Sequence, residues 1–435
     1  MQVGELQVAL KKNLALMGVT TAVRFGAGLF TFVVLARLLG PESFGVLMLW
    51  LSVSALLALI TNYGLTPYIL REIGANPASA ESIINEGLTG KLLLTAIVFV
   101  CAIVAAWGLG IELKQVFLCL LLASVADSFS EFLNAGFRAR DRFDVETRIA
   151  TITSLAHTAI VTGAVFIYPT VEAAAYAYVI SRLVVLAITI PSVARYFAAP
   201  RLAALGISFV RLRKSVIYAI DFGFQSLFGQ IDSIVLNHFI GPVAVGLYQA
   251  GMRVFKGGST AVQVLANVFL PRAAAKAKNV GAFGQESKRI QIAFLSFGVL
   301  FGIALAIFSE FIVHVLFGSA YDDLIRLFPL FGLLFFVRFA AAAWGVVLTA
   351  AGEQRFRVIA TVIHWLLIAG IAPVLVPRMG IAGWLIALIA GNGLLGILYA
   401  LRGARRVDSP WTTVGMTALG GIAFLPFLHM FPWVL

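Results

Sequence analysis

Charge is scarce in this sequence. Only 12% of its 435 residues are Asp, Glu, Lys or Arg, while 61% are hydrophobic and the mean hydropathy is +0.98. A soluble chain of this length could not cover its core with so little polar surface. Cysteine is almost missing. Cys101 and Cys119 lie in apolar stretches, which argues against a disulfide or metal framework and for small packing residues. His157, His238, His314 and His364 are scattered, none at metal-ligand spacing, and read as hydrogen-bonded packing residues. There is no HExxH, Walker or nucleophile-elbow motif. The aspartate-rich clusters of a metal-dependent glycosyltransferase or lipid phosphatase are also missing from the gaps, and Asp322-Asp323 reads as a solvated turn. No gap is long enough for a folded soluble domain. The longest, the basic stretch from Arg195 to Ser215, reads as a mobile or surface-lying joint.

What the chain has instead is a series of thirteen long apolar stretches. They run Asn13–Ala36, Phe44–Ile69, Leu88–Gly108, Leu113–Gly136, Ile149–Tyr168, Ala173–Arg195, Val216–Ile240, Ala244–Leu270, Ile290–Phe317, Leu324–Ala351, Val358–Val376, Ile381–Leu401 and Trp411–Trp433. Each approaches the roughly 20 residues that cross a bilayer as a helix. The expected class is an all-α polytopic membrane protein with about 12–14 transmembrane helices. No signal-peptide cleavage site follows the first stretch, which is expected to remain in the mature chain.

Cations alternate along the chain. The N-terminus and every second gap hold 22 of the 32 Lys and Arg, including Arg138, Arg140, Arg142 and Arg148, and Arg272, Lys276, Lys278, Lys288 and Arg289. The opposite gaps hold only Arg37, Lys114 and Arg378. The positive-inside rule then puts the N-terminus in the cytoplasm and the Gly40-Pro41 and Gly241-Pro242 turns outside. The net charge of +12 needs no nucleic acid, because a basic rim facing anionic lipid headgroups accounts for it.

The two sides of the joint repeat one another. ARLLGPESFG (Ala36 to Gly45) links stretches 1 and 2, and NHFIGPVAVG (Asn237 to Gly246) links stretches 7 and 8. RARDRF (Arg138 to Phe143) follows stretch 4, and GEQRFR (Gly352 to Arg357) follows stretch 10. Both halves start on the same side, so parallel repeats are expected: six-helix bundles at 1–200 and 215–402 around a central cavity. Residues 201–214 would join them, and 403–435 would add a C-terminal span. Stretches 1, 2, 7 and 8 are expected to line the cleft.

Ionisable groups at membrane depth need a partner or a wet cavity. Arg24, Arg182, Arg253, Lys256 and Arg338 are such groups, and Arg253 and Lys256 share a helix face at i, i+3. Guanidinium groups grip phosphate oxygens bidentately, so these five are candidate binding residues for a diphosphate with a hydroxyl-rich glycan. Alternatively they lock helices together through buried acids. Two acidic stripes could supply those partners or take up protons: Asp127, Glu131 and Asn134, and Asp221, Gln225 and Asp232. Coupling or gating is the role open to Asp127, Glu131, Asp221 and Asp232.

RFGAGLFTFVVLARLLGPESFG resembles the opening of the polysaccharide-transporter flippases of the multidrug/oligosaccharidyl-lipid/polysaccharide (MOP) exporter superfamily. GQIDSIVLNHFIGPVAVGLYQAGMRV and VLFGSAYDDLIRLFPLFGLLF are similar to that family's seventh-helix turn and its junction before helix 10. The resemblance implies an inner-membrane flippase of the O-antigen (Wzx-like) type, with no enzymatic activity, for an undecaprenyl-diphosphate-linked oligosaccharide. It implies no cofactor beyond coupling to H+ or Na+. Membrane lipids, a glycan polymerase and glycosyltransferases of the same pathway are the partners it points to. A drug/cation antiporter on the same fold would need an apolar cavity with a lone acid, which five buried cations oppose. A membrane polymerase would need a large outer loop.

Overall fold

The computed structural model describes residues 3–197, 201–227 and 229–407, with side chains from residue 16 onward except 221, 222, 224, 225 and 227. Among them the chain is helical and without strands. The order is α1 (Val3–Asn62), α2 (Leu65–Ala75), α3 (Ala80–Gly108), α4 (Lys114–Ala139), α5 (Phe143–Ile167), α6 (Val171–Phe197) and α7 (Leu205–Leu227). Then come α8 (Ile231–Phe239), α9 (Pro242–Lys276), α10 (Val280–Ile307), α11 (Ser309–Leu316), α12 (Asp322–Ile325), α13 (Phe328–Ala350) and α14 (Gln354–Ala404). Among the described residues eight helices are long and apolar enough to cross a membrane. Twelve of the thirteen apolar stretches lie on α1–α14, those from Val216 to Leu270 on α7–α9 outside the eight, and Trp411–Trp433 lies outside the described residues.

Two of the helices are double. At 60 residues α1 would measure about 90 Å, three times a hydrocarbon core, and it breaks at Gly40 (φ 70°, ψ 170°). The 51-residue α14 breaks at Gly380 (φ 60°, ψ −137°). The Gly40-Pro41 break has its counterpart at Gly241-Pro242, where Gly241 (φ 112°) precedes Pro242 in the first turn of α9. Glycine accepts the positive φ, and proline starts the next helix without wasting an N–H. The two exits that match in sequence also match in backbone: Asp141 (φ 56°) after α4 and Gly352 (φ 77°) after α13 are both left-handed.

The chain divides into two compact units, Met1–Val235 and Leu236–Leu435. In the first, α1 packs on α4 and α5, α6 closes on α4 and α5, and α7 lies against α2 and α3. In the second, α13 is central, packed by α9, α10 and α14. Side chains that would be buried in a soluble protein face outward: Val100 and Val104 of α3 are 62% and 67% exposed, while Val98, Ala102 and Ala106 on the other face are buried. That division is what lipid on one side and protein on the other requires.

The basic joint is less loose than its composition implies. Helix α7 begins at Leu205, within the stretch read as a linker, and the chain before it is tied to α3. The Arg201 and Ala203 amides donate to Asn85 Oδ1 (2.9 Å) and Thr89 Oγ1 (2.8 Å). Arg211 Nε donates to Glu86 Oε2 at 2.8 Å, and its Nη1 to the Tyr68 hydroxyl at 3.0 Å. The seventh stretch is also not one helix. A turn at Gly229 and Gln230 separates α7 from α8, so the continuous stripe from Asp221 through Gln225 to Asp232 is interrupted. Asp232 instead opens α8 as a buried first-turn residue.

Candidate functional site

The first unit gathers its charges on three helices. Helices α1 and α5 run parallel and in register: Thr20 donates to Thr147 Oγ1 (2.9 Å) and Thr31 to Thr158 Oγ1 (3.0 Å), at the same sequence separation of 127. The two contacts lie eleven residues apart, three helical turns, so the same face is presented each time. This registry puts Arg24 of α1 beside Glu146 in the first turn of α5, with Nη2 3.8 Å from Oε1. Arg24 Nη1 lies 3.5 Å from Glu131 Oε2 on α4. Two turns further along α4, Arg138 pairs with Glu131 and places Nε 3.8 Å from Glu146 Oε1. Glu146 is the buried member, with 7% of its side chain exposed, while Arg24 and Glu131 keep about two-fifths of theirs open.

The result is a ring of two arginines and two glutamates with no net charge. One turn before Glu131, Asp127 forms an ion pair with Arg182 of α6, Oδ1 to Nη1 2.9 Å. Both acids of the α4 stripe therefore face an arginine from another helix. His157 Nδ1 is 2.8 Å from Ser181 Oγ and its ring meets Tyr178 edge-on, a packing role. Asp221 lies on α7, but its side chain is outside the described residues.

The remaining predicted cations lie in the second unit. On α9, Arg253 is half-buried and Lys256 is exposed, flanking the buried Phe255. Arg338 of α13 sits over the Phe255 ring, 5.8 Å from its centroid, a cation–π distance.

Sequence reasoning passed over several charged residues. Arg138 counted only as a rim cation and Glu146 not at all, because both stand just outside the apolar stretches. Lys91 is the sharper omission. It is fully buried in α3, donates to Ser128 Oγ at 2.7 Å, lies 3.4 Å from Asn62 Oδ1 and 3.5 Å from the Thr61 carbonyl, and faces the Phe129 ring. An isolated cation inside an apolar stretch was the signal that picked out Arg24, and it was present here too. Among the described residues no group of three His, Cys, Asp or Glu could hold a metal ion.

Comparison with known proteins agrees with this architecture. The model of a family described as "Polysaccharide biosynthesis protein" matches residues 10–275. No curated protein matches the chain in sequence. Among solved structures, an inward-facing multidrug resistance MATE family transporter of the MOP superfamily superposes with a TM-score of 0.66 at 17% identity, over 93% of this chain and 99% of that one. The Vibrio cholerae MATE transporter VcmN gives a TM-score of 0.55 at 16% identity, covering 91% and 97%. The eukaryotic MATE transporter AtDTX14 gives 0.54 at 12% identity, covering 96% and 99%. At these identities the likeness establishes the fold, that of multi-pass membrane transporters.

Proposed function

We propose that this chain, which belongs to the polysaccharide biosynthesis protein family, is a flippase for a lipid-diphosphate-linked oligosaccharide. The transported molecule would be an undecaprenyl-diphosphate-linked repeat unit of the O-antigen kind, carried across a bacterial inner membrane by alternating access. The N-terminus would be cytoplasmic. Six-helix halves at 1–200 and 215–402, joined by 201–214 and followed by a span within 403–435, would supply the two rocking bodies. Glycosyltransferases and a glycan polymerase would act before and after it.

The neutral ring around Glu146 is the observation that supports this reading. A diphosphate reaching Arg24 and Arg138 could replace Glu131, the more open carboxylate, and the arginines would exchange one anion for another without an uncompensated charge at membrane depth. The freed carboxylate could then bind a proton, coupling substrate entry to the proton gradient. Arg253, Lys256 and Arg338 offer a second cationic surface for phosphate or glycan hydroxyls, and Arg182 with Asp127 a second exchangeable pair.

The test is export in cells lacking their own flippase. Arg24→Ala and Arg253→Ala should abolish surface glycan while protein level and membrane insertion stay intact. A charge-assisted phosphate contact is worth roughly 1.5–3 kcal/mol, so one loss weakens binding about tenfold or more. Arg24→Lys should rescue only partly, since ammonium lacks the planar fork. Full export by both well-folded alanine variants would end the proposal. Efflux of cationic drugs without glycan export would favour the antiporter.

A further inference from the structure

We propose that the second unit binds a membrane phospholipid with a monoanionic, hydroxyl-bearing headgroup, its phosphate held by Arg326 and Arg378 at the mouth of an apolar cavity. The cavity measures about 610 Å³ and is bounded by three connections between spans: the start of α9 after Gly241, the turn around Asp323 to Leu327, and the break in α14 around Gly380. Connections between spans lie where hydrocarbon meets water, so the cavity sits at that border. Its walls are mostly aliphatic, among them Ile240, Val243, Leu247 and Ile381. Ile240 and Val243 are 42% and 43% exposed, which leaves the cavity open to an incoming chain.

The two arginines stand out by location. Of 32 Lys and Arg, only Arg37, Lys114, Arg326 and Arg378 lie at the span ends opposite the cation-rich gaps. Positive charge is sparse on that face, yet two of the four line one cavity. Neither guanidinium makes a hydrogen bond or ion pair with a described residue. By contrast Arg24, Arg138, Arg182, Arg211, Arg402 and Arg406 each engage a carboxylate.

Charge selects the headgroup. Two guanidinium groups and the Asp323 carboxylate leave one net positive charge at the rim, which a single phosphodiester neutralises. A diphosphate would bring surplus negative charge against Asp323. The same carboxylate can accept a hydrogen bond from a headgroup hydroxyl while the arginines take the phosphate oxygens bidentately. Acyl chains would lie along the aliphatic wall, and a cavity of this size is within the roughly 300–1,000 Å³ range of small-molecule sites. A lipid here would brace the break in α14 against the start of α9 and so tie two span junctions together.

The experiment is lipid retention by the purified full-length chain, read by native mass spectrometry after exchange into detergent with defined lipids. The wild type should hold one dioleoylphosphatidylglycerol with at least tenfold preference over dioleoylphosphatidylcholine. Arg326→Gln combined with Arg378→Gln should remove that preference. Should the double variant fail to fold, the wild type still decides the matter. Equal retention of the two lipids would overturn the proposal. Displacement of the lipid by water-soluble glycerophosphoglycerol at equal concentration would assign the site to a free anion and overturn it as well. The readout is binding rather than export, so it stands or falls apart from the flippase reading.

Discussion

The two units share their turns but not their adhesive. Both carry a Gly-Pro break and a left-handed exit residue at matching places, so their backbones follow one plan. The first unit is held across helices by ions and hydroxyls: the Arg24, Arg138, Glu131 and Glu146 ring, Arg182 with Asp127, the α1–α5 threonine pairs and the Lys91 cage. In the second, the ion pairs of Lys276 with Glu286 and of Arg402 and Arg406 with Glu353 stay at the rim, and the contacts that stand out between spans are aromatic faces. Phe301 and Phe335 are 4.5 Å apart, Phe335 and Phe339 4.4 Å, and Phe297 stacks on Phe339 at 5.3 Å. Break position is set by local backbone chemistry and can persist while packing diverges. Polar bonds in lipid are directional, whereas stacked rings can slide. The ionic unit is therefore the one suited to switching between discrete partners.

The largest effect should come from the buried acid. Glu146→Ala would leave Arg24 and Arg138 only Glu131 of the two carboxylates they share, and the ring with one surplus positive charge. Breaking a buried pair destabilises by about 3–5 kcal/mol, which the partial exposure of both arginines and their remaining contacts to Glu131 reduce to about 2 kcal/mol. Thermal unfolding in detergent should show a clear drop, and adding Arg138→Gln should recover part of it. A loss no larger than that of a threonine pair would dismantle the ionic account of this unit.

The aromatic unit should respond to added volume. A Cβ at Gly258 would collide with the Phe301 ring and lie 2.9 Å from that of Phe335, so Gly258→Val should overpack the stack and destabilise by about 1–3 kcal/mol. If this substitution were silent, the rings would not be the packed contact between α9, α10 and α13. Thr31→Val removes one hydroxyl link between α1 and α5 at nearly constant volume. Its expected loss is smaller, about 0.6 kcal/mol, and the same measurement resolves it from Glu146→Ala.

The smallest effect is a pH slope at the rim of the second unit. Hydrogen bonds from Arg406 and Arg402 hold the Glu353 carboxyl below the usual carboxylate range. Its contribution is therefore complete above the ordinary carboxylate pKa and fades as pH falls through the lowered folded value. Glu353→Gln should lower the melting temperature slightly at neutral pH, converge with the wild type in acid where Glu353 is protonated, and so flatten the acid limb of melting temperature against pH. An unaltered acid limb would mean that this cluster is only a solvated rim.

Much of this was written in the order of residues. Length and hydropathy announced the spans, because a helix in lipid must be about 20 residues long whatever it packs against. Gly40-Pro41 and Gly241-Pro242 announced the matching breaks, because positive φ and a missing N–H are properties of the residues themselves. The scarcity of acids made Arg24 and Arg182 conspicuous. None of this said which acid each arginine would meet. Glu146 lies 122 positions from Arg24, and only the register of α1 on α5, set by threonine pairs on matching faces, brings them to 3.8 Å. Nor could hydropathy find the joint's helix, whose Arg211 is met by Glu86 of α3 and whose leading amides, at Arg201 and Ala203, are met by Asn85 and Thr89. The sequence by itself determined where the chain enters and leaves lipid, since that is decided one segment at a time. Tertiary structure decided which charges are neutralised and by what, since that depends on faces of separate helices meeting at distances of a few ångströms.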